Sequence, residues 1–177
     1  MNLNKLMLAT VIALSTASVA QAANQGSGKV TFFGEIIDAP CSLSPDSVDQ
    51  EVDMGQVSNR LLANQGKTES QNFEIKLIDC DTTTKKTVKV AFTGQKDVNN
   101  TELLGVSGTA SGAGIQIIDG SGKKVSLDGV ESNAFTLLNG AAENTLRYSA
   151  YLQGSKAATP VVPGDFTAVA NFTLAYQ

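Results

Sequence analysis

The sequence has no histidine and no tryptophan, only two cysteines and four prolines, and just 17% of its 177 residues are charged. Without imidazole there is no histidine-activated nucleophile, no histidine-containing zinc site and no copper site built on that ring. The side chain whose ordinary pKa lies nearest neutrality is missing as well. Seventeen acids against thirteen bases leave a formal charge of −4. With no basic stripe, neither a nucleic-acid partner nor an anionic membrane surface is expected. The charged fraction lies below the roughly 25% of ordinary soluble domains, and 42% of residues are hydrophobic, which excludes a disordered, solvating chain. The length suits one domain with a core of its own.

An enzyme could still be built on carboxylates or a Ser–Lys pair, but the remaining motifs do not supply one. In the glycine-rich stretch, Ile117 stands where a third glycine would follow Gly112 and Gly114. A Walker loop fails around Gly122 and Lys123, because Lys124 occupies the position that requires Ser or Thr. Both stretches read as turns. Asp79 and Asp81 flank Cys80, and Asp46, Asp49, Glu51 and Asp53 cluster in one segment. Thr84 replaces the glycine an EF-hand needs, so these acids read as solvated loops. No catalytic residue, metal site or cofactor is expected.

Lys5 precedes the apolar stretch Leu6–Leu14, and small residues then lead to Ala20-Gln21-Ala22. A positive start, a short apolar run and an A-x-A site describe a secretory signal over residues 1–22. The run is far short of the roughly 20 residues that span a bilayer. In an oxidising compartment the only two cysteines, Cys41 and Cys80, are expected to pair. Closing a loop of about 40 residues would stabilise the fold by roughly 4 kcal/mol on the chain-entropy model.

Alternation with period two dominates the rest. Phe73-Glu74-Ile75-Lys76-Leu77, Val88–Phe92 and Leu146–Leu152 each place apolar residues on one face. Thr93-Gly94, Asn99-Asn100, Asp128-Gly129 and Asn139-Gly140 mark turns, and Ile115–Ile118 with Lys124–Leu127 flank an Asp-Gly turn as an expected hairpin. Only Asn59–Ala63 reads as a helical turn. Short strands between glycine-rich turns predict an all-β, immunoglobulin-like sandwich in one domain.

The two ends are the most informative. Gly28, Val30, Phe32, Gly34 and Ile36 lie in phase ahead of the first cysteine, interleaved with Lys29, Thr31, Phe33 and Glu35. This predicts a strand with one buried face. After Gly164, the residues Phe166, Ala168, Ala170, Phe172, Leu174 and Tyr176 lie in phase up to the terminus and predict a continuous final strand.

Glycine fourteenth from the C-terminus with tyrosine next to last is the terminal pattern of chaperone–usher pilus subunits. Gly164 and Tyr176 hold those positions. Together with the signal, the cysteine pair, the approach Ile37-Asp38-Ala39-Pro40-Cys41 and the stretch Ala150–Gly154, the mature chain resembles the major subunits of type 1 and P pili. That resemblance implies an incomplete immunoglobulin-like sandwich, residues 37–177, lacking its final strand. It further implies completion in trans, a mode of β-augmentation. A periplasmic chaperone would first lend a strand along Gly164–Tyr176. Residues 23–36 of the next identical or homologous subunit would then replace it, with Gly28, Val30, Phe32, Gly34 and Ile36 as donor face. The implied product is an open-ended homopolymer, a non-enzymatic surface fimbrium exported through the periplasm and an outer-membrane usher, supporting adhesion. A minor adaptor or a tip adhesin of the same kind of fimbria is the alternative.

Overall fold

A computed structural model of the chain describes residues 27–156 and 158–177. The expected signal, residues 1–22, and the first residues of the extension lie outside them. Ile37–Gln177 forms one compact unit, and the residues up to Ile36 fall outside it.

Elements follow in short order: β1 (Ser42–Leu43), α1 (Pro45–Val48), α2 (Asn59–Leu62), β2 (Gln71–Ile78), β3 (Thr87–Gly94), β4 (Leu104–Gly105) and β5 (Ser107–Gly108). Then come β6 (Ala113–Asp119), β7 (Asp128–Glu131), β8 (Phe135–Thr136), β9 (Glu143–Gly154), β10 (Phe166–Thr167) and β11 (Ala170–Tyr176). One antiparallel sheet has the order β1-β2-β9-β6-β4, and the other β11-β3-β7, with β8 also paired to β3. The small pair β10-β5 stands apart. The expected alternating strands are present, because each can turn one apolar face inward.

Between the sheets, Ile75 and Leu77 of β2 meet Val88, Val90 and Phe92 of β3 and Leu146 of β9 in one buried cluster. Tyr148 is its hub: it stacks on Phe73 at 5.5 Å and meets the edge of Phe92 at 5.1 Å. Phe92 in turn packs on Phe172 of β11 at 6.2 Å, so one aromatic chain ties both sheets. Burial pushes the Tyr148 phenol up to about 12, since the core cannot solvate a phenolate.

The cysteines are bonded, Cys41 to Cys80. Ser42 pairs with Ile78, and the Asp81 amide donates to Pro40 O at 2.8 Å. The bridge thus clamps the start of the sandwich onto the exit of β2. The helical turn at Asn59 is present, begun by the Ser58 hydroxyl accepting the Arg60 amide.

Four expectations change. The Asp-Gly hairpin keeps its turn, where the Asp119 carboxylate accepts the amides of Ser121 and Lys123 at 2.9 Å. Its return arm is held to β6 only around the Lys124–Ile118 bridge, where Asp119 N donates to Lys123 O and Val125 N to Ile117 O, both at 2.9 Å; Val125 and Leu127 are buried in the core. The acidic stretch read as loop contains α1, started by a proline in its first turn. The continuous final strand is broken between β10 and β11, which pair with different partners, β5 and β3. Residues 27–36 form no strand in the single chain. Phe32 is 90% and Phe33 97% exposed, so neither face is buried. An extended segment without a neighbouring strand has nothing to satisfy its amides except water.

Replacing both cysteines, Cys41→Ser with Cys80→Ser, is expected to lower unfolding free energy by about 4 kcal/mol, read as a shift in denaturant midpoint under non-reducing conditions. An unchanged midpoint would contradict the clamp.

Candidate functional site: an apolar groove between unpaired edges

A groove of about 990 Å³ opens along the compact unit. Its floor is the core itself, including Phe92, Leu104, Ile115, Ile117 and Leu152. One lip is the C-terminal run Gly164–Phe172; the other is segment 47–57.

The C-terminal lip is placed by backbone pairing. Ala170–Tyr176 is in register with Gly94–Val88 on one side, which makes β11 an edge strand of its sheet among the described residues. Phe166, Ala168, Ala170, Phe172, Leu174 and Tyr176 are all half-buried against the core, and the interleaved Thr167, Val169, Asn171 and Thr173 are exposed. The alternation read from the sequence therefore survives the break at 168–169. Burial raises the Tyr176 phenol above its ordinary pKa.

Gly164 has a steric reason to be glycine. A Cβ there would collide with the Thr109 side chain and the Ala110 backbone. Close approach lets the Asp165 amide donate to Thr109 Oγ1 at 3.0 Å, while Thr109 N and Ala110 N donate to Asp165 O at 3.0 and 3.1 Å. Gly108 opposite adopts a φ of 136° and leaves no room for a side chain either. These contacts fix the upper end of the lip.

The other lip was not singled out as a site in the sequence. Val52, Met54 and Val57 are half-buried, while Asp49, Glu51 and Asp53 face solvent. The geometry is strand-like alternation, yet outside the helices and strands no main-chain to main-chain hydrogen bond is made by residues 50–57 among the described residues. The available signal was the alternation Val52, Met54 against the acids, which charge alone disguises as a solvated loop.

The groove thus has two backbone edges without a strand between them, over an apolar floor. That arrangement has the shape and the unpaired main-chain groups that an extended peptide requires. Among the described residues no cluster of three or more Cys, Asp or Glu side chains could hold a metal. The candidate donor residues Gly28, Val30, Phe32, Gly34 and Ile36 are exposed, with open space around both glycines. The disulfide Cys41–Cys80 lies at the start of the compact unit and supports the frame.

Comparison with known proteins agrees with this geometry. Residues 30–177 match the family model described as fimbrial protein. The fimbria A protein of Serratia marcescens is 56% identical, over the full length of both chains. The major MR/P fimbria protein of Proteus mirabilis is 47% identical, again over both full chains. Among solved structures, the P pilus rod subunit PapA superposes with a TM-score of 0.70 at 38% identity, over 78% of this chain and all of that one. A chaperone–usher pilus subunit, from a structure that addressed rod uncoiling, gives 0.76 at 40% identity over 89% and 100%. With edges that lack a strand and relatives of this kind, the chain belongs to the fimbrial protein family, as a major subunit of a chaperone–usher pilus with an incomplete immunoglobulin-like sandwich.

Proposed function

We propose that the groove takes the N-terminal segment of the next copy, so that residues 27–36 act as the donor strand and the lips 47–57 and 164–176 as acceptor. The observation that carries this reading is the pairing of two incomplete features in one chain. One is an apolar groove with unpaired backbone edges; the other is an exposed, alternating segment with no strand of its own. Donor and acceptor are different surfaces, so the contact is heterologous and grows an open filament instead of closing.

Burying Val30, Phe32 and Ile36 would contribute on the order of 5–9 kcal/mol gross, at about 1.5–3 kcal/mol per large apolar side chain. Ordering the segment offsets part of this. New main-chain hydrogen bonds along β11 add affinity. Gly28 and Gly34 would let the donor backbone settle where a side chain on that face would stand off.

Before assembly the same groove needs a temporary occupant, since its floor is core. A periplasmic chaperone that lends a strand along Gly164–Tyr176, and an outer-membrane usher that brings chaperone-bound subunits together, fill that requirement. Residues 1–22 would direct export, and the mature subunit would be a structural, non-enzymatic component through which the fimbria supports adhesion.

Phe32→Arg is expected to stop fibre growth while chaperone-bound subunit accumulates, because a guanidinium is costly on an apolar floor. Surface fibres counted by electron microscopy, with periplasmic subunit measured by immunoblot, check this; normal fibres contradict the donor assignment. Deleting Phe172–Gln177 removes most of the paired lip, and is expected to reduce periplasmic subunit severalfold through degradation. Wild-type levels of the shortened chain would contradict the role of that lip.

A further inference from the structure

The lining of the groove carries four charged residues, Asp49, Glu51, Asp53 and Asp165, and all are acidic. None of them takes part in an ion pair among the described residues. The segment proposed to enter has a single base, Lys29, near its start and a single acid in 27–36, Glu35, near its end. Both interleave with the apolar donor face, so both remain at the rim when that face is buried.

The direction of the acidic lip can be followed against its neighbours. The Ser47 hydroxyl accepts the Lys76 amide near the end of β2, and Leu62 lies against Gly154 at the end of β9. Because β2 and β9 are antiparallel, segment 47–62 climbs from one end of the sandwich to the other. β11 descends: Phe172 meets Phe92 at the level of Tyr148 and Phe73, and Tyr176 pairs with Val88 at the start of β3. A strand entering antiparallel to β11 therefore runs in the same direction as 49–57. It brings Lys29 to the Asp49 and Glu51 end and carries Glu35 past them toward Gly55–Val57. The reverse polarity would set Glu35 beside Asp49 and Glu51, leaving Lys29 with Asp165 alone.

We infer that Lys29 is a specificity-determining residue for groove capture, reading the acidic lip at Asp49 and Glu51 and thereby selecting the polarity of the incoming strand. This rests on the donor-strand reading above. Apolar side chains supply affinity but are indifferent to direction over a floor of mixed aliphatic and aromatic residues. Rim charges act on encounter and on wrong alignments, through a field that salt screens within about 8–10 Å.

The test uses the full-length subunit held by its chaperone and fluorescent peptides of residues 24–38, with capture rates read at low and high ionic strength. Peptides need no folding, so a charge change in them cannot damage the acceptor. The Lys29→Glu peptide is expected to be captured about tenfold more slowly than wild type at low salt, with the gap closing at high salt. Lys29→Gln should fall between them. An acceptor carrying Asp49→Lys and Glu51→Lys should reverse the preference. Equal rates for all three peptides at low salt, with wild-type peptide captured normally, would overturn the role of Lys29 and leave the donor reading standing. No capture of the wild-type peptide would overturn both.

Discussion

Main-chain amides and carbonyls beside an apolar core must find hydrogen-bond partners, and an edge of a sheet is where that demand is hardest to meet. In this subunit the β1-β2-β9-β6-β4 sheet meets it along its central strands, each flanked on both sides. The demand is unmet along β11 and along 50–57, and between them lies the floor of the sandwich. Water can satisfy the exposed amides but not the aliphatic and aromatic floor. An extended chain satisfies both at once, with its backbone to the edges and alternate side chains to the floor. Assembly and completion of the fold thereby become one event.

The rest of the molecule holds that opening in shape. The Tyr148 cluster joins β2, β3, β9 and β11 through ring contacts beneath the groove. At one end the Cys41–Cys80 bridge anchors the chain just before the acidic lip begins. At the other, Gly164 packs onto Thr109 and Ala110 with no room for a side chain, which sets where the C-terminal lip starts. The exposed charges then have a task distinct from stability. A single lysine ahead of the donor face and a line of acids on one lip give an otherwise apolar contact a direction.

Much of this was legible before any coordinates. Period-two alternation located β2, β3 and β9, because each presents one face to the core. The cysteine pair followed from export, alternation from Phe166 to Tyr176 located the terminal strand, and Gly164 with Tyr176 carried the resemblance to pilus subunits. What stayed hidden depends on partners that a linear reading does not show. Alternation at Gly28–Ile36 is a strand pattern, but a strand forms only where an edge accepts it, and the single chain offers those residues no pairing. The terminal pattern continues in phase through Ala168, although β10 and β11 pair with different neighbours. Residues 49–57 do form a loop with solvated acids, but charge says nothing of Val52, Met54 and Val57 turning inward to line the groove.

The account stands on the sandwich being one strand short in isolation. Its most direct test is refolding of the mature subunit without its first twelve residues, alone and with a peptide of residues 24–38. Slow, incomplete refolding that the peptide accelerates and completes, with a higher thermal midpoint, is the result expected. Fast and complete refolding that ignores the peptide would show that the domain is already whole, and would contradict the account.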